Sequence, residues 1–211
     1  MVLGSVRGCA RRLPNVRPDC RAGWRIGPRG AVAGKTVAIA GFVAFCHAVA
    51  RRLKPFGVQI KVLRRSSWQY AVPGILPVDS IEALVAASDH LVIALPATPQ
   101  TVHLINAEVL THAKESLHVI NVARGRIIDQ QALLRALDNG QLAGATLDVT
   151  DPEPPPEGDP IYLHPKVVLT PHVSWTGADD IKRLTDKTLV NLDAYAHGAP
   201  LADVFDKKLG Y

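Results

Sequence analysis

The sequence predicts an α/β fold: a doubly wound parallel sheet with helices on both faces. Three observations predict it. From Gly34 onward, short apolar runs alternate with amphipathic stretches, and strands alternating with helices give a parallel sheet covered on both sides. The first pair, TVAIAGFVAFCHAVARRL (36–53), runs apolar strand, glycine, apolar helix. The chain has 211 residues and is 47% hydrophobic, enough for one good core.

Each element has its own signal. KTVAIA (35–40) reads as a buried strand, and AFCHAVARRLKPFG as a helix ended by Pro55 and Gly57. QIKVL (59–63) is a second strand. DSIEALVAASD opens with Asp79 and Glu82 in capping-box spacing and predicts a short helix. HLVIALP (90–96), LHVINVA (117–123), GATLDV (144–149) and KVVLTP (166–171) are further strands. DQQALLRALDNG predicts a helix with Asp129 as N-cap and Gly140 after its last turn. The proline cluster DPEPPPEGDP (151–160) predicts a stiff loop at a strand's carboxyl end, the edge where open α/β sheets bind ligands.

The net charge of +5 is concentrated at one end. Residues 1–33 hold seven arginines, one aspartate and no lysine, so they carry +6 and the remainder −1. A basic excess in a tail, and not on a folded face, argues against nucleic-acid binding. With Pro14, Pro18 and Pro28 interrupting it, this segment is expected to be a poorly ordered leader and not an organelle transit peptide. No apolar run approaches the ~20 residues that span a bilayer, so no membrane partner is expected. Three cysteines without a CxxC pair suit a reducing, cytoplasmic compartment.

The strand–glycine–helix stretch poses a specific question. A dinucleotide-binding Rossmann turn uses G-x-G-x-x-G, and the three places hold Gly41, Val43 and Cys46. Gly41 keeps the tight turn. Val43 puts a β-branched side chain where a pyrophosphate approaches the backbone, with Ala44 and Phe45 following it. Cys46, small and apolar, is a mild change where the helix packs on the strand. The stretch AGKT (33–36) is no P-loop, because the first glycine of that motif would fall at Arg29 and because Gly34-Lys35-Thr36 leads into a strand where a P-loop follows one. About 20 residues beyond the turn stand Arg64, Arg65, Ser66 and Ser67. Arginine there accommodates a ribose 2′-phosphate where an acidic residue would bind the 2′-hydroxyl of NAD, so NADP is favoured over NAD.

Three later stretches, ALPATPQTVHLIN (94–106), INVARGRIIDQQALLRAL (120–137) and LDVTDPEPPPEGDPIYLHPKVVLTPHVSW (147–175), in this order and spacing, resemble the nucleotide-binding domain of D-isomer-specific 2-hydroxyacid dehydrogenases. The resemblance covers about 34–175 and continues weakly to the end. It implies a dinucleotide-binding domain over 34–175, and a C-terminal helix and tail over 176–211 that in the family returns to a substrate-binding domain. Much of that domain precedes the nucleotide domain in the family, and residues 1–33 resemble none of it.

The resemblance implies roles as well. Arg124 of NVARG would bind the substrate carboxylate and keto oxygen, a task suited to a planar, permanently charged fork. Glu153 of LDV-x-x-x-EP and His172 of TPH would form the proton-donating pair, since a carboxylate orients an imidazole and favours its protonated form. Asp148 would contact the nicotinamide end of the cofactor. Leu95, Pro96, Thr101, Val122, Ala123 and Ser174 would line the cofactor cleft. The expected activity is hydride transfer between NAD(P)H and a small 2-keto acid of glyoxylate or hydroxypyruvate type, in a homodimer built through the nucleotide domain. The competing reading is a non-catalytic nucleotide-binding or dimerisation module. No metal site is expected, because none of the other seven histidines has a partner at ligand spacing.

Overall fold

The computed structural model of the protein describes residues 1–10, 31–41, 44–63 and 73–207. Seven strands form a single sheet: β1 Thr36–Ala40, β2 Gln59–Leu63, β3 Ile75–Val78, β4 His90–Ile93, β5 His118–Asn121, β6 Gly144–Leu147 and β7 Val167–Leu169. Their order is β3-β2-β1-β4-β5-β6-β7 and every neighbouring pair is parallel. The chain winds outward from β1 in one direction and from β4 in the other, which makes the β1/β4 boundary the topological switch point of a Rossmann-type sheet.

Period-two alternation divides the core into two layers. On one face Ala38, Ala40, Leu91, Ile93, Val119, Ala145 and Leu147 pack under α3 Ile81–Ala87, α4 Ala107–Thr111 and α5 Gln130–Asp138. On the other Val37, Ile39, Ile60, Val62, Val92 and Ile120 pack under α2 Ala44–Leu53. Helix boundaries follow local chemistry. Helix α2 gives way to a 3₁₀ turn at Lys54–Phe56 that holds Pro55, and Gly57 closes it at φ +70°. Asp129 caps α5 by accepting from the Ala132 N–H at 2.9 Å, and Gly140 follows at φ +76°. Helix α3 is capped one residue later than the sequence suggested: the Ser80 hydroxyl, not Asp79, accepts from Ala83 N–H at 3.2 Å. That register turns Ile81, Leu84 and Val85 inward.

Three elements differ from the sequence reading, the short helix α4 among them, which it did not name. Strand β3 was not foreseen. It is a half-exposed edge strand carrying Pro77, which an edge tolerates because one side needs no ladder donors. The expected disorder of the leader does not hold for its first ten residues. Val2–Ala10 forms helix α1, with Val2 and Val6 buried in the layer that α2 covers. Valines four apart on one face are enough to dock a short helix onto an existing apolar layer, although they stand among glycines and an arginine and make too short a run to read as a period. Residues 11–30 of that segment lie outside the described residues.

The described residues cluster into two units, Met1–His172 and Val173–Tyr211. The second holds α6, Asp180–Ala196. Its returning tail is tied back by reciprocal hydrogen bonds between Asn191 and the backbone of Ala202, at 2.9 and 3.2 Å, and by a Lys187–Asp203 ion pair. Among the described residues no helix is long and apolar enough to cross a membrane.

Candidate active site

The expected site residues of the first unit collect at the carboxyl ends of neighbouring strands. Gly41 follows β1 at φ +96°, and a Cβ there would lie 2.7 Å from the Ala94 carbonyl oxygen beyond β4. Both facts require glycine at this turn. Cys46 is fully buried between α2 and the sheet, as a small apolar residue at the third place should be. Val43, Arg64, Arg65 and Ser66 lie outside the described residues, and of Ala44 and Phe45 only the helical backbone is described. After β4, the Thr101 hydroxyl donates to the Pro96 carbonyl at 2.7 Å and accepts from Thr98 N–H at 2.7 Å. This ties the loop through Leu95 and Pro96 into a fixed shape beside the switch point.

Strand β5 ends in Asn121, which is fully buried. Its carboxamide oxygen accepts from Ala123 N–H and its Nδ2 donates to the Arg124 carbonyl, each at 3.0 Å. A polar residue ending a fully buried strand thus pins the turn that carries Arg124, with Val122 half-buried and Ala123 buried beside it. Arg124 itself is exposed, and its guanidinium donates to the Ala123 carbonyl at 2.7 Å. Gly125 comes next. A Cβ on it would fall 2.0 Å from the Thr150 carbonyl carbon and oxygen and 2.6 Å from Asp151 N. Only a residue without a side chain lets the Arg124 turn lie against the loop leading to Glu153.

Strand β6 delivers Asp148, which is 1% exposed. Its backbone N–H donates to the Asn121 carbonyl at 3.0 Å, and its carboxylate Oδ1 accepts the Thr170 hydroxyl at 2.5 Å. Five residues on, Glu153 turns back into the site: Oε2 accepts from Thr150 N–H at 3.4 Å and Oε1 meets His172 Nδ1 at 2.6 Å. His172 follows β7 in the left-handed region, at φ +52°. Its N–H donates to the Asp148 carbonyl at 2.9 Å and to the Thr170 carbonyl at 3.0 Å. A non-glycine residue held there by surrounding contacts is the kind of strain that gathers at functional sites.

The histidine and carboxylate side chains are 37% and 38% exposed, so the pair is open to solvent at one side while Nδ1 is committed to Glu153. Sequence reasoning expected Arg124, Asp148, Glu153 and His172. It passed over Asn121, Gly125 and Thr170. All three sit inside quoted motifs, and the available signal was a polar residue at the end of a strand, at Asn121 and again at Thr170. Ser174 belongs to the second unit. Among the described residues no group of three His, Cys, Asp or Glu side chains could hold a metal ion.

A Rossmann sheet with this carboxyl edge defines a dinucleotide-binding domain of dehydrogenase type. The NAD-binding domain of the D-isomer specific 2-hydroxyacid dehydrogenases matches residues 3–174. The chain belongs to that family. A glyoxylate reductase of Korarchaeum cryptofilum is 36% identical over 79% of this chain and 51% of its own length. A D-isomer specific 2-hydroxyacid dehydrogenase of Xanthobacter autotrophicus Py2, solved with NADPH and MES, superposes with a TM-score of 0.90 at 30% identity, covering all of this chain and 87% of that one. An NADPH-dependent glyoxylate/hydroxypyruvate reductase of Sinorhizobium meliloti, solved with NADP and sulfate, gives 0.91 at 28% identity, covering all of this chain and 68% of that one. The chain spans about half the length of the curated relatives it matches.

Proposed function

We propose that the chain binds a nicotinamide dinucleotide along its carboxyl edge and serves the reduction of a small 2-keto acid of glyoxylate or hydroxypyruvate type to the 2-hydroxy acid. The observation that carries this reading is the 2.6 Å His172–Glu153 pair at the end of β7, beside the buried Asp148. Bound along this edge, NAD(P)H would supply the hydride that the keto carbon needs. The remaining work falls to side chains. Arg124 binds the substrate carboxylate and polarises the keto oxygen. His172, with Nδ1 held by Glu153, gives a proton from Nε2 to that oxygen as the C=O π bond breaks, and Glu153 stabilises the imidazolium before transfer. The described residues fit the cofactor. Gly41 gives the phosphate turn its tight path, and by sequence position Val43, Ala44 and Phe45 are the candidates for the pyrophosphate. Leu95, Pro96, Thr101, Val122 and Ala123 line the cleft. The Asp148 carboxylate suits a carboxamide N–H₂.

NADPH is the preferred cofactor in this reading, because Arg64, Arg65 and Ser66 suit a 2′-phosphate and repel nothing in it. The same reading takes 34–175 as the dinucleotide-binding domain, 176–211 as the segment that returns to a substrate domain, the assembly as a homodimer through the nucleotide domain, and the compartment as cytoplasmic. The decisive experiment titrates NADPH and NADH by reduced-nicotinamide fluorescence and follows with glyoxylate and hydroxypyruvate assays. Binding with turnover and a higher kcat/KM for NADPH is expected. A clear NADH preference would sink the 2′-phosphate assignment, and binding without turnover would favour a non-catalytic module. Light scattering of the purified chain tests the dimer.

A further inference from the structure

The Thr170 hydroxyl is used in a way the proposed chemistry does not require. It donates to Asp148 Oδ1 at 2.5 Å, across from β7 to β6. Two residues on, His172 N–H returns to the backbone carbonyl of the same Asp148 at 2.9 Å and to the carbonyl of Thr170 at 3.0 Å. Three residues therefore form a closed hydrogen-bonded ring: the Asp148 carboxylate, the Thr170 side chain, and the His172 backbone bonded back to both Thr170 and Asp148. Its position matters. Asp148 is 1% exposed, so its carboxylate cannot be oriented by bulk water and takes its rotamer from protein donors. His172 sits at φ +52°, a conformation that persists only where neighbours over-determine it.

We infer that Thr170 is a positioning residue: its hydroxyl fixes the Asp148 carboxylate for the cofactor's carboxamide and, through the shared ring, ties that carboxylate to the turn that carries the proton donor. The inference rests on the proposed role of Asp148 and goes beyond it, since it makes cofactor seating and His172 placement one mechanical unit. A hydroxyl donating to an ionised acceptor is a charge-assisted hydrogen bond, and its removal leaves a buried charge short of a donor. Valine replaces the hydroxyl with a methyl of nearly the same volume, so packing is kept. Serine keeps the hydroxyl and loses the methyl.

The test is NADPH affinity, by reduced-nicotinamide fluorescence, on the full chain and its Thr170→Val, Thr170→Ser, Asp148→Ala and Thr170→Val/Asp148→Ala variants, with folding checked by circular dichroism melting. Thr170→Val is expected to weaken NADPH by about tenfold, the size of a lost charge-assisted bond. Thr170→Ser is expected to stay within about twofold of the parent. In the Asp148→Ala background, Thr170→Val should cost nothing further, because a residue acting through Asp148 has nothing left to act on. A second readout needs no cofactor: the His172 imidazole resonances should shift in Thr170→Val and return in Thr170→Ser. Parent-like affinity in Thr170→Val overturns the inference, as does an equal loss in both backgrounds, which would mark a packing role. Failure of the parent chain to bind NADPH would instead overturn the functional reading, and this inference with it.

Discussion

At the carboxyl edge of the sheet, His172 has a side chain 37% exposed and a 2.6 Å hydrogen bond to Glu153. At the amino edge, His118 is 7% exposed and its Nε2 shares a 2.9 Å hydrogen bond with the Thr146 hydroxyl. The second histidine also lies 6.4 Å, ring to ring, from His90, whose Nδ1 is buried and has no hydrogen-bond partner among the described residues. Burial first, and then the neighbouring His90, push the His118 imidazole down to about 3. His90 is lowered too, by burial above all, with the Asp89 charge opposing and Lys35 adding to the shift. A ring that cannot take a proton near neutral pH cannot donate one. One sheet therefore carries two kinds of histidine, and what separates them is access to water and the charge of the partner. The comparison predicts that the carboxyl edge governs chemistry and the amino edge governs stability.

The largest expected effect is at the carboxyl edge. His172→Ala should lower 2-keto-acid turnover by at least ~100-fold while leaving NADPH affinity nearly unchanged, since a general acid contributes roughly 10²–10⁴. Steady-state rates and cofactor titration on the same protein check both halves. An unchanged rate would show that the proton comes from elsewhere.

Next is Gly125→Ala. Its methyl group would overlap Thr150 backbone atoms, at 2.0 Å, so one of the two turns must move. Overpacking of this kind costs about 1–3 kcal/mol, and backbone in place of side chain as the obstacle puts the expectation at the upper end. Urea unfolding reads the stability loss. The carboxyl-edge character of the damage should appear as weakened cofactor binding, because the Arg124 turn and the Glu153 loop share that contact. Stability equal to the parent's would mean that the two loops are not packed as described.

The amino edge makes the third prediction, with a definite sign. In the unfolded chain His118 titrates near 6.5, and in the fold near 3. Below 6.5 the unfolded chain binds a proton that the folded one refuses. Folding stability therefore falls as the pH drops from about 6.5 toward 3, by up to about 1.4 kcal/mol per pH unit from this residue, with His90 acting in the same direction. Asp89 acts elsewhere. Burial pushes its carboxyl up, but the Thr36 N–H and the charges of Lys114 and Lys35 outweigh that and lower it overall. Its contribution is thus kept above the ordinary aspartate value of 3.8 and lost below it. Melting curves between pH 7 and 4.5 isolate the histidines. His118→Gln should flatten the slope, and an unaltered slope would refute the assignment.

Most of the architecture was legible because it rests on periodicity. Six of the seven strands are apolar runs between turn residues, and α5 carries its cap and its terminal glycine in plain view. What escaped was short or exposed. Strand β3 has no buried position, so no alternation advertises it. Helix α1 is anchored by Val2 and Val6, too few residues to make a period. For the site, the family resemblance pointed to Arg124, Asp148, Glu153 and His172, and the structure sets them after the carboxyl ends of β5, β6 and β7. Asn121, Gly125 and Thr170 were passed over because their work lies in contacts between loops, Thr170 with Asp148 and Gly125 with Thr150, or in short-range bonds that no spacing rule encodes. A glycine's necessity in particular depends on what it faces, and for Gly125 that is backbone from another strand's loop.

The smallest expected effect sharpens the amino edge. Asp89 accepts from Thr36 N–H at 2.9 Å and pairs with Lys35 at 3.3 Å, with Lys114 farther away at 4.0 Å. The backbone bond is the structural one: it closes the first N–H of β1, where the pairing with β4 begins only one residue later, at Val37 and His90. The ion pair is partly exposed, with the Lys35 side chain 43% accessible, so water and salt screen it. Lys35→Met keeps the aliphatic stem and removes the charge, and should change stability by less than about 0.5 kcal/mol at 0.15 M salt. Asp89→Ala leaves the Thr36 N–H without its acceptor and should cost about 1 kcal/mol or more. Parallel urea titrations of the two variants separate the terms. A Lys35→Met loss as large as that of Asp89→Ala would mean that charge, and not the closing of the strand's first donor, holds this edge together.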